Sequence, residues 1–318
     1  MKLCKLYDLI IEKGIAADPR GKKCVEKELK KIKKDFEALS EQEKKEFDQE
    51  RFVNPYSDSR LLVGSGDEEI RRILVGIDID VAEILLADRL SERGTKIDLV
   101  LSHHPEGRAL ASLYEVMPMQ ADLLAACGVP ITVAESLMEK RIQEVERRVH
   151  PVNHMKTVDA ARLLAIPLIC AHTPADNQVC RYLQQLFDEK EPETLSEILN
   201  ILKNIPEYRQ AVQEHAGPKI VHGSPKSRSG KIMVDMTGGT EGAKDIFKNL
   251  SAAGIGTIVG MHVSEEHLQK AREAHINVVI AGHIASDAIG LNLLLDELES
   301  KQKLNIVCCS GFTRVKRT

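Results

Sequence analysis

Tryptophan is absent from this sequence, and only 3% of the residues are aromatic. Proteins that bind single-stranded nucleic acid stack bases on aromatic side chains, so this scarcity argues against such a surface. The net charge of −4, with 29% charged residues, also gives no basic surface for nucleic acid or for a membrane. Both absences disfavour nucleic acid and membranes as partners.

Long apolar runs are absent as well. No segment approaches the 18 or so apolar residues that a bilayer span requires, and no apolar stretch typical of a signal peptide follows Met1–Lys5. The seven cysteines are odd in number and include no Cys-x-x-Cys pair, a usage typical of reduced thiols rather than of a disulfide framework. We therefore expect a soluble, cytoplasmic protein.

The chain has 318 residues, enough for one large core or two smaller ones. Residues 22–51 alternate Lys and Glu with sparse apolar positions, which predicts a solvated helix, and we interpret residues 1–70 as an N-terminal helical extension and linker. From residue 71 onward, short apolar strands alternate with helices, a pattern typical of a mostly parallel sheet in an α/β fold. We predict two related α/β lobes, with the first at 71–180 and a helical insert plus the second lobe at 181–318. The predicted strands lie at 73–77, 97–102, 129–133, 166–171, 231–234, 256–260, 276–281 and 306–309.

Two adjacent histidines, His103 and His104, end one of these strands, and Pro105 directs the chain out of the sheet. Side chains alternate along a strand, so the two imidazoles should diverge and could serve two metal ions, or one ion and one substrate group. Ligands of open α/β sheets usually bind at the carboxyl ends of strands. The alternative is a surface turn that happens to contain two histidines.

Two further strand ends carry a histidine and an aspartate four residues apart, His172 with Asp176 and His283 with Asp287. A helix begins near residue 284, so the second pair should share one helix face near the positive end of the helix dipole. Each pair alone is compatible with structural or surface histidines. Together, nitrogen and oxygen donors without thiolate suit two ions of zinc, manganese or ferrous iron in a hydrolytic site.

The segments Asp98–Pro105, Ala171–Asp176 and Gly282–Asp287 resemble the three signatures of the dinuclear-metal-centre family labelled GTP cyclohydrolase I type 2, also called the NGG-interacting-factor family. The resemblance covers roughly residues 71–311. It implies a two-metal site between two α/β lobes and a ring-shaped homohexamer. Carried over position by position, it implies metal ligation by His103, His104, Asp176, His283 and Asp287.

Asp287 stands where the family normally has a bridging glutamate, which is one methylene longer. Asp287 would therefore bridge the ions or orient the attacking water, and His172 would orient a ligand or shuttle a proton. Arg108 also departs from the family pattern. It is expected to place a cation near the mouth of the site for a small anionic or nucleotide-like substrate, unless it is an ordinary surface arginine.

The sequence thus predicts a metal-dependent hydrolase of the cyclohydrolase or amidohydrolase type with two divalent metal ions. The alternative is a metal-binding, ring-shaped regulatory or scaffold protein that acts through protein partners. The residue types leave open the choice among zinc, iron and manganese, and they do not name the substrate.

Overall fold

The computed structural model describes residues 1–317 as two sheets covered by helices. The helices are α1 (Leu3–Ala17), α2 (Lys22–Glu37), α3 (Glu41–Glu46), α4 (Val81–Glu92), α5 (Gly107–Ala111), α6 (Met119–Ala126), α7 (Ile131–Val149), α8 (Lys156–Leu163), α9 (Thr173–Lys190), α10 (Leu195–Lys203), α11 (Pro206–Gln213), α12 (Phe247–Ala252), α13 (Glu265–Glu273) and α14 (His283–Glu299). The strands are β1 (Arg60–Val63), β2 (Arg72–Gly76), β3 (Leu99–Ser102), β4 (Leu168–Cys170), β5 (Lys219–His222), β6 (Lys231–Asp235), β7 (Ile255–Gly260), β8 (Asn277–Ile280) and β9 (Asn305–Cys308).

The first sheet has the strand order β1-β4-β3-β2-β9. Strands β4, β3, β2 and β9 run parallel, whereas β1 pairs antiparallel with β4 at the edge. All residues of β3 are buried, as expected for a parallel strand covered on both faces. The end of the chain therefore completes this sheet, although the sequence pattern grouped strand 306–309 with the second lobe.

The second sheet has the order β5-β8-β7-β6 and repeats the same plan. Its strands β6, β7 and β8 are parallel, and β5 lies antiparallel at the edge. The predicted fold, two α/β lobes with mostly parallel sheets, is thereby confirmed. Neither antiparallel edge strand was predicted, and β1 lies inside the segment that was expected to be a helical extension and linker.

The strand predicted at 129–133 is wrong, because α7 begins at Ile131, directly after Pro130. A short apolar run suits one face of a buried helix as well as a strand, and proline is favoured at a helix start. The charged helix predicted from residue 22 also ends earlier, and Ser40 begins a new helix with a capping box to Glu43. No helix within residues 1–317 is long and apolar enough to cross a membrane.

Helices α9 and α14 pack closely against each other, and this contact brings the two lobes' polar side chains together. A Cβ atom at Gly290 would lie only 2.4 Å from the backbone oxygen of Ala175, so only glycine allows this approach. Ala175 precedes Asp176 on α9, and Gly290 lies three residues beyond Asp287 on α14. The close contact therefore positions both carboxylates.

Candidate metal centre

The cluster is built from residues at the carboxyl ends of strands. His103 and His104 follow β3, and His172 follows β4 in the same sheet. His283 follows β8 of the second sheet and begins α14. Asp176 and Asp287 lie near the starts of α9 and α14, the helices that leave those strand ends. The residue pairs that the sequence singled out thus come together between the two lobes.

Asp287 lies at the middle of this cluster. Its Oδ1 is 3.4 Å from His103 Nε2, and its Oδ2 is 3.5 Å from His104 Nε2 and 3.6 Å from His283 Nε2. Asp176 Oδ1 is also 3.4 Å from the same atom, His103 Nε2. The two oxygens of Asp287 therefore face different sets of imidazoles.

Several of these polar atoms are buried without any hydrogen-bond partner in the structure. They are Nδ1 and Nε2 of His103, Oδ1 of Asp176, and both carboxylate oxygens of Asp287. Buried polar atoms are nearly always hydrogen-bonded, because leaving one unpaired costs about 1–3 kcal/mol. Two ligand atoms about 2.1 Å from one tetrahedral ion lie about 3.4 Å apart. The observed separations fit a shared metal ion better than they fit direct hydrogen bonds.

The potential ligand atoms form three overlapping sets of three. One set is His103, Asp176 and Asp287, and a second is His104, His283 and Asp287. The third set joins His172 to His103 and His104, so His172 lies closer to the candidate ligands than the sequence suggested. The first two sets share only Asp287. This arrangement suits two neighbouring ions with one carboxylate between them.

Sequence reasoning missed two aspartates that form hydrogen bonds with histidines of the cluster. Asp58 Oδ2 lies 2.8 Å from His172 Nδ1, and Asp78 Oδ1 lies 2.7 Å from His104 Nδ1. Each carboxylate accepts a hydrogen bond from Nδ1–H, which fixes the ring orientation and directs Nε2 into the cluster. Asp78 follows a predicted strand, so the strand-end rule could have found it. Asp58 lies in a predicted linker and carries no such signal.

Burial and neighbouring charges shift the pKa values of His104, Asp176 and His172. Burial lowers the pKa of His104 to about 4, and the neighbouring His103 and His172 add to this effect, so His104 is neutral at pH 7, as a metal ligand must be. Burial raises the pKa of Asp176 to about 7 in spite of the nearby imidazoles. Burial would lower the pKa of His172, but Asp176 and Asp58 outweigh it and raise that pKa to about 9.

A cavity of about 310 Å³ opens beside the cluster, and the second lobe forms its opposite wall. That wall includes His262, which follows β7, and its ring lies 5.0 Å from the ring of His283. Sequence reasoning missed His262, although it too follows a predicted strand.

The prediction that Arg108 places a cation at the mouth of the site is wrong. Arg108 does not line the cavity, and its side chain pairs with Glu50 at 2.8 Å.

The loop Thr237–Thr240 also lines the cavity. Gly238 and Gly239 both have positive φ angles, 95° and 93°, which glycine adopts without strain. Gln120 Nε2 donates hydrogen bonds to the carbonyl oxygens of Gly238 and Thr240, both at 2.7 Å. The loop is therefore held in place by a side chain of α6.

Comparison of the sequence with protein-family models and with curated proteins finds no match. Among solved structures, the crystal structure of a NIF3 superfamily protein from Sphaerobacter thermophilus is 30% identical, with a TM-score of 0.71 over 80% of this chain and 92% of that one. The fold also resembles reduced HcgD from Methanocaldococcus jannaschii, at 16% identity, a TM-score of 0.52, and coverage of 88% of this chain and 97% of that one. The two-lobed fold and the identity to the first of these structures confirm the family resemblance of the sequence: the chain belongs to the NIF3 superfamily.

Proposed function

We propose that this protein is a metal-dependent hydrolase of the cyclohydrolase or amidohydrolase type, with two divalent ions of zinc, iron or manganese. The observation that carries the proposal is the set of buried ligand atoms without hydrogen-bond partners on His103, Asp176 and Asp287. Five residues would hold the ions: His103, His104, Asp176, His283 and Asp287. When bound, two such ions activate a water near neutral pH and polarise a carbonyl, amidine or phosphoryl group.

Asp287 would bridge the ions in spite of its shorter side chain. The tight packing of α14 against α9 at Gly290 brings the carboxylate close to both histidine sets, with Oδ1 towards His103 and Oδ2 towards His104 and His283. The helix packing would therefore let the shorter carboxylate of Asp287 reach both histidine sets.

His172 would hold and return a proton during the reaction. Asp58 accepts a hydrogen bond from Nδ1, while Nε2 faces Asp176 at 3.7 Å, on the side of the cluster. The two carboxylates stabilise the protonated ring, which explains its raised pKa. A protonated histidine oriented in this way can deliver its proton to a leaving group and then take a proton back from water.

A hydrolase screen tests the proposal directly. The protein loaded with zinc, manganese or ferrous iron would be assayed on cyclic amidines, amides and phosphodiesters. We expect turnover in the wild type, and a loss of about a thousandfold or more in His103→Ala with an unchanged circular dichroism spectrum. His150→Ala, at an exposed position directly after α7, is the control. Metal binding without turnover on any substrate would instead favour the scaffold alternative.

The two carboxylates that accept hydrogen bonds from His172 and His104 should differ in the size of their effect on the site. Asp58→Asn should weaken metal affinity or turnover by about 10- to 100-fold, because His172 then loses its fixed orientation. Asp78→Asn should have a smaller effect, since the Asp78 side chain is 67% exposed and water can replace it. Steady-state turnover measures the effect of each variant on the reaction, and competition with a chromogenic chelator measures its effect on metal affinity. A larger loss in Asp78→Asn than in Asp58→Asn would contradict the assignment.

The ring-shaped homohexamer stays a prediction, and light scattering of the purified protein measures the assembly. The small anionic or nucleotide-like substrate also stays a prediction. Arg108 does not support it, because this side chain is engaged with Glu50.

A further inference from the structure

A second, larger cavity of about 440 Å³ lies against the second sheet, and residues of α9 also line it. It separates the face of the sheet β6–β8 from helices α6, α7 and α12. Its lining is predominantly apolar, and its volume falls in the range of small-molecule sites. The apolar lining includes Leu124, Met138, Met233, Phe247, Leu250, Ile258, Val278 and Ile280.

This apolar cavity has a common wall with the cavity beside the metal centre. Five residues line both of them, namely Asp235, Met236, Thr237, Glu241 and His262. The wall comprises the end of β6, the loop that follows it, and the second residue after β7. A molecule that reaches from one cavity into the other would therefore pass these residues, with one end at the cluster and the other among apolar side chains.

The apolar side chains inside this cavity favour an apolar ligand. Its two cations, Lys231 and Arg181, lie at exposed positions and donate hydrogen bonds to the backbone oxygens of Cys127 and Ala16. His267 and Glu241 already bond to the helix start at Ser264: the Ser264 hydroxyl lies 2.7 Å from His267 Nδ1, and Ser264 N donates to Glu241 Oε1 at 2.9 Å. Asp235 has accessible surface within the common wall. Asp235 and Glu241 place negative charge there, which would repel a phosphate group that passed between the cavities.

We propose that the apolar cavity binds the acyl chain of an amide substrate whose carbonyl group lies at the metal centre, an assignment that rests on the proposed hydrolase function. Hydrolysis would break the bond between the carbonyl carbon and the nitrogen. The hydroxyl of water would go to the carbonyl carbon and its proton to the amine. Apolar burial of the chain would supply affinity, and the polar cavity would hold the head group.

Alkyl hydroxamates of increasing length test this assignment, because the hydroxamate group binds a metal ion and the tail probes the apolar cavity. Calorimetry on the metal-loaded protein would compare acetohydroxamate with hexano- and octanohydroxamate. Burying one methylene is worth about three- to fourfold in affinity. We therefore expect octanohydroxamate to bind about a hundredfold tighter than acetohydroxamate, or more.

Two variants that fill the apolar cavity should remove this gain. Ala243→Phe fills it from the loop before α12, and Ile258→Phe fills it from strand β7. Both should keep the wild-type metal content and the wild-type affinity for acetohydroxamate. Ala252→Phe, at an exposed position of the same lobe, is the matched control and should keep the full gain.

The results of these binding experiments distinguish the acyl-chain assignment from the proposed hydrolase function. If acetohydroxamate binds and longer tails add nothing, or if the gain survives in both filled variants, the acyl-chain assignment is overturned and the metal centre stands. If the filled variants change only the oligomeric state, a second copy of this chain occupies the cavity, which also overturns the assignment. If no hydroxamate binds the metal-loaded protein, both proposals fail.

Discussion

Replacing Asp287 by asparagine is expected to remove both metal ions from the protein. The amide keeps the shape of the side chain but loses the charge, and it is a poor ligand for zinc, iron or manganese. Because Asp287 is the only residue shared by the two ligand sets, His103 with Asp176 and His104 with His283, its loss should affect both positions. The single-set variants Asp176→Asn and His283→Ala should each leave about one ion.

Elemental analysis of protein purified without added metal or chelator measures these differences. About two ions per wild-type chain are expected. Asp8→Asn, an exposed position on α1, is the control for removal of one carboxylate. If Asp287→Asn keeps one ion while His283→Ala loses both, Asp287 does not bridge the two sets.

The second large effect is expected for Gly290→Ala. The added Cβ would lie 2.4 Å from Ala175 O, so helix α14 must move away from α9. Forcing extra atoms into a packed contact costs about 1–3 kcal/mol of unfolding free energy, and in a protein of this size each kcal/mol lowers the melting temperature by roughly 2–4 °C. The movement should also separate Asp287 from Asp176 and weaken metal binding.

Thermal unfolding in the presence of a chelator isolates the packing effect, and metal titration measures the effect on the site. Gly260→Ala is the matched control, since its Cβ would meet its nearest neighbours at 3.5 Å, an ordinary contact distance. Equal stability of the two variants would show that α9 and α14 do not rely on the glycine contact.

The positions of the candidate ligands could be read largely from the sequence. Strands of a parallel sheet are continuous apolar runs, and the residues that end them lie at one edge of the sheet. This rule located His103 and His104 after β3, and helical spacing placed Asp287 one turn after His283. Both patterns lie within short segments of the chain, so they can be recognised without knowledge of the tertiary structure.

Errors arose where a local pattern fits two structures. The apolar run at 129–133 suits a strand or a buried helix, and the helix α7 formed because its face packs against the core of the second lobe. The edge strands β1 and β5 are short and only partly buried, so they carry little periodicity. Arg108 was assigned to the mouth because it departs from the family pattern just after Pro105, but its partner Glu50 lies 58 residues away.

The amino-acid sequence by itself determined the α/β class, the family resemblance and the residue types that could bind metal, since these depend on composition, periodicity and spacing within short segments. Only the tertiary structure decided that Asp287 lies between two sets of ligands, that Asp58 orients His172, and that an apolar cavity adjoins the centre. These features depend on which surfaces meet across more than a hundred residues of chain. The close approach of α9 and α14 at Gly290 places Asp287 beside Asp176, and no short-range pattern encodes this approach.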